Sequence, residues 1–234
     1  MKYNPCIYIE RYHKVYEAGA RFWEEPIPAD ASVKFIEKYD SLLPSHRKVI
    51  EFGCGEGRDS TFLTSRGLNV LCIDIAGIVI QRAKKLAKDR GVDLEIDFIE
   101  MNALSPGLKD NYFDLAIDVA FFHLIIDQSI RSKYLNEVFR VLKRQGYFFM
   151  CNLTTNKPIK IEEILRSSLG KTITKKIIVD GKEKELRLPV IPVWPKTLEE
   201  YVNEISNAGF EIIEAYKAMV NPIGYSCVIV ARKN

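Results

Sequence analysis

Apolar runs of strand length alternate with amphipathic segments between residues 48 and 154. This alternation is typical of a parallel sheet that is covered on both faces by helices. The runs predict five strands, at 48–53, 69–74, 95–101, 113–119 and 146–152. The amphipathic segments predict helices near 59–66, 77–90 and 129–143, with Asp59 or Ser60 as the N-cap of the first and Gly91 as the C-cap of the second.

After residue 197 the pattern returns, with a predicted helix at 197–207 and apolar runs at 210–216 and 225–232. The stretch from Lys217 to Gly224 joins these runs and is too short for a helical crossover, so the runs should pair antiparallel. The sequence therefore predicts an α/β fold with a Rossmann-like, seven-stranded sheet. Five parallel strands are closed by an antiparallel C-terminal hairpin, and helices lie on both faces.

The segment 156–196 lies between the fifth predicted strand and the next helix. Its pattern predicts a short amphipathic helix at 159–169, and runs at 172–179 and 182–190 flank Asp180-Gly181, a strong signal for a tight hairpin. The segment holds ten Lys or Arg and five Asp or Glu, which gives it +5 in a chain of net charge +3. We expect all 234 residues to form a single domain with this segment as an insertion.

Composition changes this picture little. Apolar residues make up 47% and charged residues 28%, as in soluble globular proteins, and a net charge of +3 is too small to indicate a nucleic-acid partner. The five cysteines are scattered and form no C-x-x-C pair, which indicates reduced thiols and no metal site. The N-terminus lacks the apolar core of a signal peptide, and the longest apolar run, 115–126, is shorter than the about 20 residues that span a bilayer. We expect a cytoplasmic protein with no membrane partner.

Three alternate glycines, Gly53, Gly55 and Gly57, follow the first predicted strand. Glycine lets the backbone turn sharply there, and the missing Cβ lets a ligand lie against the main chain. The open amides of the following helix complete a polar cradle. The second strand ends in Asp74, whose carboxylate could accept both hydroxyls of a ribose. These features predict a nucleotide-containing cofactor.

The spacing separates two cofactor classes. A dinucleotide site would have the fingerprint G-x-G-x-x-G, but Arg58 stands where its third glycine belongs. Glu51 precedes the first glycine by two positions, so the motif resembles that of the class I S-adenosylmethionine-dependent methyltransferases. The Phe-Trp pair before the motif and the run Gly-Cys-Gly-x-Gly-Arg-Asp within it resemble the small-molecule enzymes of the thiopurine and tellurite-resistance type. The implied cofactor is S-adenosylmethionine and the implied product S-adenosylhomocysteine.

The resemblance implies roles for individual residues. Glu51 would meet the methionine amino group, Asp74 would hold the ribose, and Asn102 would accept a hydrogen bond from the adenine amino group. The other implied cofactor contacts are Gly53, Cys54, Gly55, Ile75, Ala103, Asp118, Val119 and Trp23. The residues alone leave alternatives: Asp74 as a helix cap, Asn102 as a turn residue, and Glu51 as the partner of a nearby Arg or Lys.

His123 follows the fourth predicted strand and is the candidate catalytic base, since an imidazole near neutrality can take a proton from an attacking nucleophile. A buried structural histidine is an equally weighted alternative. The aromatic segment 1–30, with Tyr12, Tyr16 and Trp23, could form a lid that excludes water from the cofactor. Helical spacing of its tyrosines fits ordinary core packing equally well.

The resemblance implies transfer of a methyl group to a small molecule with an N, O or S nucleophile. Two alternatives stay open: a protein or RNA methyltransferase that docks through the basic insertion, and a cofactor-binding protein that performs no transfer. An Asn-Pro-Pro-Tyr motif is absent after the fourth strand, which argues against a nucleic-acid acceptor. Homodimerisation is a further candidate role of the insertion.

Overall fold

A computed structural model describes residues 6–20, 27–42, 47–179 and 182–234. Within these residues the chain forms seven α-helices: α1 Cys6–Glu17, α2 Asp30–Tyr39, α3 Arg58–Ser65, α4 Gly77–Asp89, α5 Gln128–Val141, α6 Ile161–Ser168 and α7 Leu198–Asn207. The same residues form nine strands: β1 Lys48–Phe52, β2 Asn69–Asp74, β3 Ile96–Glu100, β4 Phe113–Val119, β5 Leu142–Leu153, β6 Thr172–Val179, β7 Lys182–Pro189, β8 Phe210–Val220 and β9 Gly224–Lys233.

The main sheet has the strand order β3-β2-β1-β4-β5-β9-β8. Strands β1 to β5 pair in parallel, and β9 pairs antiparallel with both β5 and β8. The predicted fold class is therefore confirmed. The predicted strands are present, and β5 and β8 are longer than expected because they continue to pair with their neighbours beyond the apolar runs.

The sheet separates two hydrophobic clusters, one beneath α2, α3 and α4 and the other beneath α5 and α7. Strand β4 shows how alternation divides its side chains between them, since Leu115, Ile117 and Val119 join the first cluster and Ala116 joins the second. Asp118 therefore points to the same side as Ala116. Because of this alternation, a residue of β4 can contact only a ligand that lies on the side of the sheet to which its side chain points.

Helix α3 begins one residue earlier than expected, after Gly57, whose φ of 74° makes it the N-cap residue. The prediction of Asp59 or Ser60 as this N-cap was wrong. The Asp59 carboxylate instead accepts hydrogen bonds from the Ala29 amide at 2.8 Å and the Ser32 hydroxyl at 2.7 Å, at the start of α2. At the end of α4, Arg90 is the C-cap, and Gly91 follows it with a φ of 68°.

The segment 156–196 contains α6 and the antiparallel hairpin of β6 and β7. The hairpin is a separate two-stranded sheet that packs against α1 rather than joining the main sheet. Val179 and Leu188 on one face of the hairpin share a hydrophobic cluster with Val15 and Tyr16 of α1. The hairpin thus supports α1 from one side.

Two further observations concern the described residues. None of the helices in these ranges has both the length and the apolar character needed to cross a bilayer. All five cysteines lie in the described part of the chain, where none of them forms a disulfide; Cys6 is exposed and the other four are buried.

Candidate active site

The loop after β1 turns through three glycines with positive φ. At Gly53 the φ is 65°, and a Cβ placed there would lie 2.4 Å from Cγ of Phe121. The Cys54 amide donates to the Ile73 carbonyl at 3.1 Å, which attaches the loop to β2. Glycine is therefore required at position 53 for two reasons, its backbone conformation and the close approach of an aromatic ring.

The glycine loop forms one wall of a solvent-open cavity of about 680 Å³, at the carboxyl ends of β1, β2 and β4. Its lining includes seven predicted cofactor residues, which are Glu51, Gly53, Cys54, Gly55, Asp74, Ile75 and Val119. A second cavity of about 380 Å³ is lined by Asn102 and Ala103 and shares several wall residues with the first. The sheet edge thus gathers most of the predicted cofactor residues around two neighbouring cavities.

Asp74 faces both cavities and also orders the backbone around it. Its Oδ2 accepts the Gly55 amide at 3.0 Å, and its Oδ1 accepts the Ala76 amide at 2.9 Å. Ala76 is the N-cap residue of α4, so part of the helix-cap alternative is present alongside the exposure to the cavities. Burial raises the pKa of Asp74, and the hydrogen bonds from the backbone amides oppose this shift. Each carboxylate oxygen keeps lone pairs for a ligand hydroxyl.

Glu51 is 2% exposed, and its Oε2 accepts a hydrogen bond from the Ser60 hydroxyl. Burial, and after it the nearby Asp59 carboxylate, raise the pKa of Glu51 well above its usual range. Ionising this carboxyl is therefore unfavourable in the protein alone. A cationic group beside it would restore the charged form, which suits the expected ammonium ligand.

Asn102 lines the second cavity, and its side-chain oxygen accepts the Leu104 amide at 2.9 Å. This is the local turn contact that the sequence left open as an alternative. Ala103 and Met101 line the same cavity beside it. The amide side chain is therefore partly engaged within its own turn, while its position still faces the space where the resemblance places adenine.

The sequence placed Asp118 along the methionine moiety, and this prediction was wrong. The side chain lies on the opposite side of the sheet from Val119. The carboxylate is fully buried and accepts from the Phe121 and Phe122 amides at 3.2 and 3.1 Å. It also accepts from Asn152 Nδ2 at 2.8 Å and the Tyr134 hydroxyl at 2.7 Å. Asp118 therefore organises the loop after β4 from behind the cavity.

His123 lies in the same buried network and is absent from the lining of both cavities. The side chain is 4% exposed, and Nδ1 is 2.8 Å from Asn152 Oδ1. Asn152 Nδ2 donates to Asp118, so its Oδ1 faces His123, and the Leu153 amide donates to the same His123 Nδ1 at 3.3 Å. Burial lowers the pKa of His123 to about 4. The geometry favours the structural alternative over the role of base.

This burial gives a testable pH dependence. The folded-state pKa lies below the ordinary value of 6.5, so the neutral ring stabilises the fold above pH 6.5, and this contribution is lost as pH falls toward 4. We expect wild type to lose about 3 kcal/mol more unfolding free energy than His123→Gln between pH 7 and 4. Urea denaturation at several pH values measures the difference. His13→Gln, which alters an exposed histidine, should follow wild type, and identical profiles for wild type and His123→Gln would contradict the structural role.

The described part of the aromatic segment forms α1, whose Tyr8 and Tyr12 line the first cavity. The Tyr16 hydroxyl donates to Glu56 Oε1 at 2.8 Å, and the rings of Tyr12 and Tyr16 stack at 5.8 Å. Burial and the nearby Asp74 carboxylate raise the pKa of Tyr12, so the phenol stays protonated. Trp23 lies outside the described residues, and its contact with the cofactor stays a prediction.

Three lining residues had no assigned role in the sequence, Glu56, Arg58 and Leu124, and Tyr8, Asp59, Ala120 and Phe121 line the cavity beside them. Arg58 Nε donates to Asp59 Oδ2 at 3.0 Å, and both side chains are buried in the wall. Ala120 has a φ of 62°, an unusual conformation for a residue other than glycine, and it directs Phe121 back over Gly53. Arg58 could have been found from its place in the glycine motif, whereas the bend at Ala120 has no sequence signal.

Comparison with known proteins agrees with this geometry. Residues 50–150 match the family described as "Methyltransferase domain". The chain is similar to the tRNA (carboxymethyluridine(34)-5-O)-methyltransferase of Arabidopsis thaliana, with 26% identity over 152 residues that cover 63% of this chain and 33% of that protein. It is also similar to the ubiquinone/menaquinone biosynthesis C-methyltransferase UbiE of Bartonella henselae, with 28% identity over 76% of this chain and 69% of that protein. The chain thus spans about a third of the Arabidopsis relative.

Among solved structures, the fold is similar to the 1,6-didemethyltoxoflavin-N1-methyltransferase of Burkholderia thailandensis with bound S-adenosylhomocysteine. The TM-score is 0.66 at 17% identity, over 98% of this chain and 88% of that one. The closer resemblance to the thiopurine and tellurite-resistance type stays a prediction. Residues 50–150 thus match a methyltransferase domain family, and the chain has the fold of a solved methyltransferase.

Proposed function

We propose that this protein transfers the methyl group of S-adenosylmethionine to a small-molecule acceptor. The observation that carries the cofactor assignment is the acidic lining of the first cavity, which includes four acids, Glu51, Glu56, Asp59 and Asp74, and one base, Arg58. S-adenosylmethionine carries a sulfonium, an ammonium and one carboxylate. The pyrophosphate of a dinucleotide would meet carboxylates at the same place.

The residues that line the two cavities suit the individual groups of this cofactor. Glu51 would hold the ammonium, Asp74 the ribose, and Arg58 would stand near the carboxylate. The second cavity, between Ile75 and Asn102, would take the adenine. When bound, the cofactor supplies an electrophilic methyl group on sulfur. The protein's own contribution is orientation, and fixing the line of approach can supply about 7–11 kcal/mol of the barrier.

The roof of the cavity favours a small acceptor. Helix α1 covers it, and the Tyr8 hydroxyl donates to the Leu124 carbonyl at 2.9 Å. Arg11 Nη1 donates to the Pro189 carbonyl at 2.8 Å, which fastens the same helix to the end of the hairpin. A helix held on both sides narrows the access to the site and leaves little room for a polymer.

A second candidate function is tRNA modification, because the Arabidopsis relative bears that name and the segment 156–196 is basic. The outward face of the hairpin is balanced, however, because Lys176 pairs with Glu183 at 2.7 Å and lies opposite Glu185 in register, with Arg187 on the same face. Electrostatic docking of RNA would depend steeply on salt. A tRNA titration that shows affinity falling by orders of magnitude between low and moderate salt would favour this candidate.

The cofactor assignment is tested by Asp74→Asn, which keeps the shape of the side chain and removes its charge. We expect the affinity for S-adenosylhomocysteine to fall about ten- to a hundredfold, because hydrogen bonds to a charged group are worth about 1.5–3 kcal/mol. Calorimetric titration with S-adenosylmethionine, S-adenosylhomocysteine and NADH measures this. Asp97→Asn, an exposed acid on β3, is the matched control and should bind like wild type. Binding of NADH alone would overturn the proposal.

A further inference from the structure

The segment 121–125, here called the loop wall, follows β4 and borders both cavities. Phe121 and Leu124 line the first cavity, and Phe121 and Ile125 line the second. Phe121 packs on Gly53, so the loop wall and the acidic glycine loop border the same cavity. The groups that the loop wall presents to the cavities therefore decide which acceptor molecules can lie against it.

Every backbone amide of the loop wall already donates a hydrogen bond. The Asp118 carboxylate accepts from Phe121 and Phe122, and Asn152 Oδ1 accepts from His123 at 3.1 Å. The amides of Leu124 and Ile125 donate to carbonyls within the wall at 2.9 and 3.1 Å. No amide of this segment is left for an acceptor molecule.

Every backbone carbonyl of the loop wall also has a donor. Arg131 Nη1 donates to the carbonyls of Phe122 and Ile125 at 3.0 and 3.1 Å. The Trp194 amide donates to His123 at 2.7 Å, Tyr8 donates to Leu124, and the Phe121 carbonyl accepts within the wall. The wall therefore offers a ligand the apolar surfaces of Phe121 and Leu124.

The charged groups that line the same cavity are mostly carboxylates, and Arg58 is already paired with Asp59. An anionic acceptor would lose its hydration against an apolar wall and face the negative charge of this lining. Burial raises the pKa of Tyr12 in the cavity lining, so this phenol stays protonated, and His123 lies behind the loop wall with its Nδ1 bonded to Asn152. An acidic lining instead favours an acceptor that gains positive charge as the methyl group is transferred.

We propose that the acceptor is an uncharged, largely apolar ring compound whose nucleophile is a neutral nitrogen. This inference rests on the proposed function. The nitrogen lone pair forms the new N–C bond while the S–C bond breaks and its electron pair stays on sulfur. The positive charge passes from sulfur to nitrogen within an acidic cavity, and an amine then releases its proton to water. The reaction needs no base before transfer.

Matched pairs of ring compounds test this proposal by binding alone. The probes are 1-aminonaphthalene against 1-naphthoate and aniline against benzoate, titrated at pH 7.5 into protein saturated with S-adenosylhomocysteine. We expect at least one amine to bind at least tenfold more tightly than its acid. Failure of both amines to bind more tightly than their acid partners would overturn the inference.

A charge placed in the wall gives an independent readout. Leu124 is half-buried. In Leu124→Lys, the ratio of the amine affinity to the acid affinity should fall at least tenfold for each pair of compounds. Leu94→Lys, at a residue that is 91% exposed, should leave it unchanged. An unaltered preference in a folded Leu124→Lys variant would contradict the wall assignment. Binding of S-adenosylhomocysteine is measured first, so its loss in wild type would defeat the proposed function, whereas intact binding with the wrong acceptor preference would defeat only this inference.

Discussion

Gly53→Ala is expected to destabilise the protein by about 2–5 kcal/mol and to abolish measurable cofactor binding. The left-handed conformation at φ 65° costs an L-residue about 1–2 kcal/mol. The new Cβ would also lie 2.4 Å from the Phe121 ring, and overpacking of this kind adds about 1–3 kcal/mol. Relief of the clash requires Phe121 or the loop to move, and both border the cavity proposed for the cofactor. Chemical denaturation and calorimetric titration measure the two losses.

Gly67→Ala is the matched control, because Gly67 also has a positive φ, of 81°, but a Cβ there meets nothing within 4 Å. It should show only the backbone part of the destabilisation and should keep cofactor affinity. The double variant Gly53→Ala/Phe121→Ala removes the ring that causes the clash, so its total destabilisation should be smaller than the sum of the single effects. Simple additivity would show that the ring and the glycine do not constrain each other.

Glu51→Gln is expected to stabilise the ligand-free protein at neutral pH and to weaken cofactor binding by about tenfold or more. The raised pKa of Glu51 means that its protonated form favours folding; this contribution is fully present below pH 4.5 and is lost as pH rises through the raised value. A glutamine keeps an acceptor for the Ser60 hydroxyl and carries no charge to desolvate. Stability would therefore rise while function falls, as at many binding sites.

The raised pKa of Glu51 also predicts that a proton is released when the cofactor binds. A cofactor ammonium beside Glu51 favours the ionised carboxylate, so affinity should increase with pH over the range in which Glu51 titrates in the free protein. Calorimetry in two buffers of different ionisation enthalpy detects this release in wild type. Glu51→Gln should not show it, and Glu95→Gln, an exposed acid before β3, should behave like wild type. An unchanged pH profile in Glu51→Gln would remove Glu51 from the cofactor site.

Local sequence patterns predicted the fold and the sheet edge at which most of the proposed cofactor residues lie. Alternating apolar runs indicated the parallel strands, and the short link between the last two indicated their antiparallel pairing. Glycines after β1 and an acid at the end of β2 could be placed together because the carboxyl ends of parallel strands meet at one edge of a sheet. Helix α3 starts at Arg58, one residue before the predicted start. Its N-cap residue is Gly57 in a left-handed conformation, where a polar side chain was expected.

The acceptor side could not be predicted in the same way. Asp118 and Val119 are neighbours in sequence but point to opposite sides of β4, and the pattern did not show which side the cofactor would use. His123 is buried by contacts with Asn152 and Trp194, which lie far away along the chain. The packing of the hairpin onto α1 is likewise a contact between distant segments.

The sequence by itself thus determined the parallel strands, the glycine turn and the acids near that turn. Each of these depends on periodicity or on the conformational freedom of a single residue. The tertiary structure alone decided the orientation of Asp118, the burial of His123 and the apolar character of the loop wall. These depend on which distant groups satisfy each buried hydrogen bond, and that pairing exists only when the whole chain is folded.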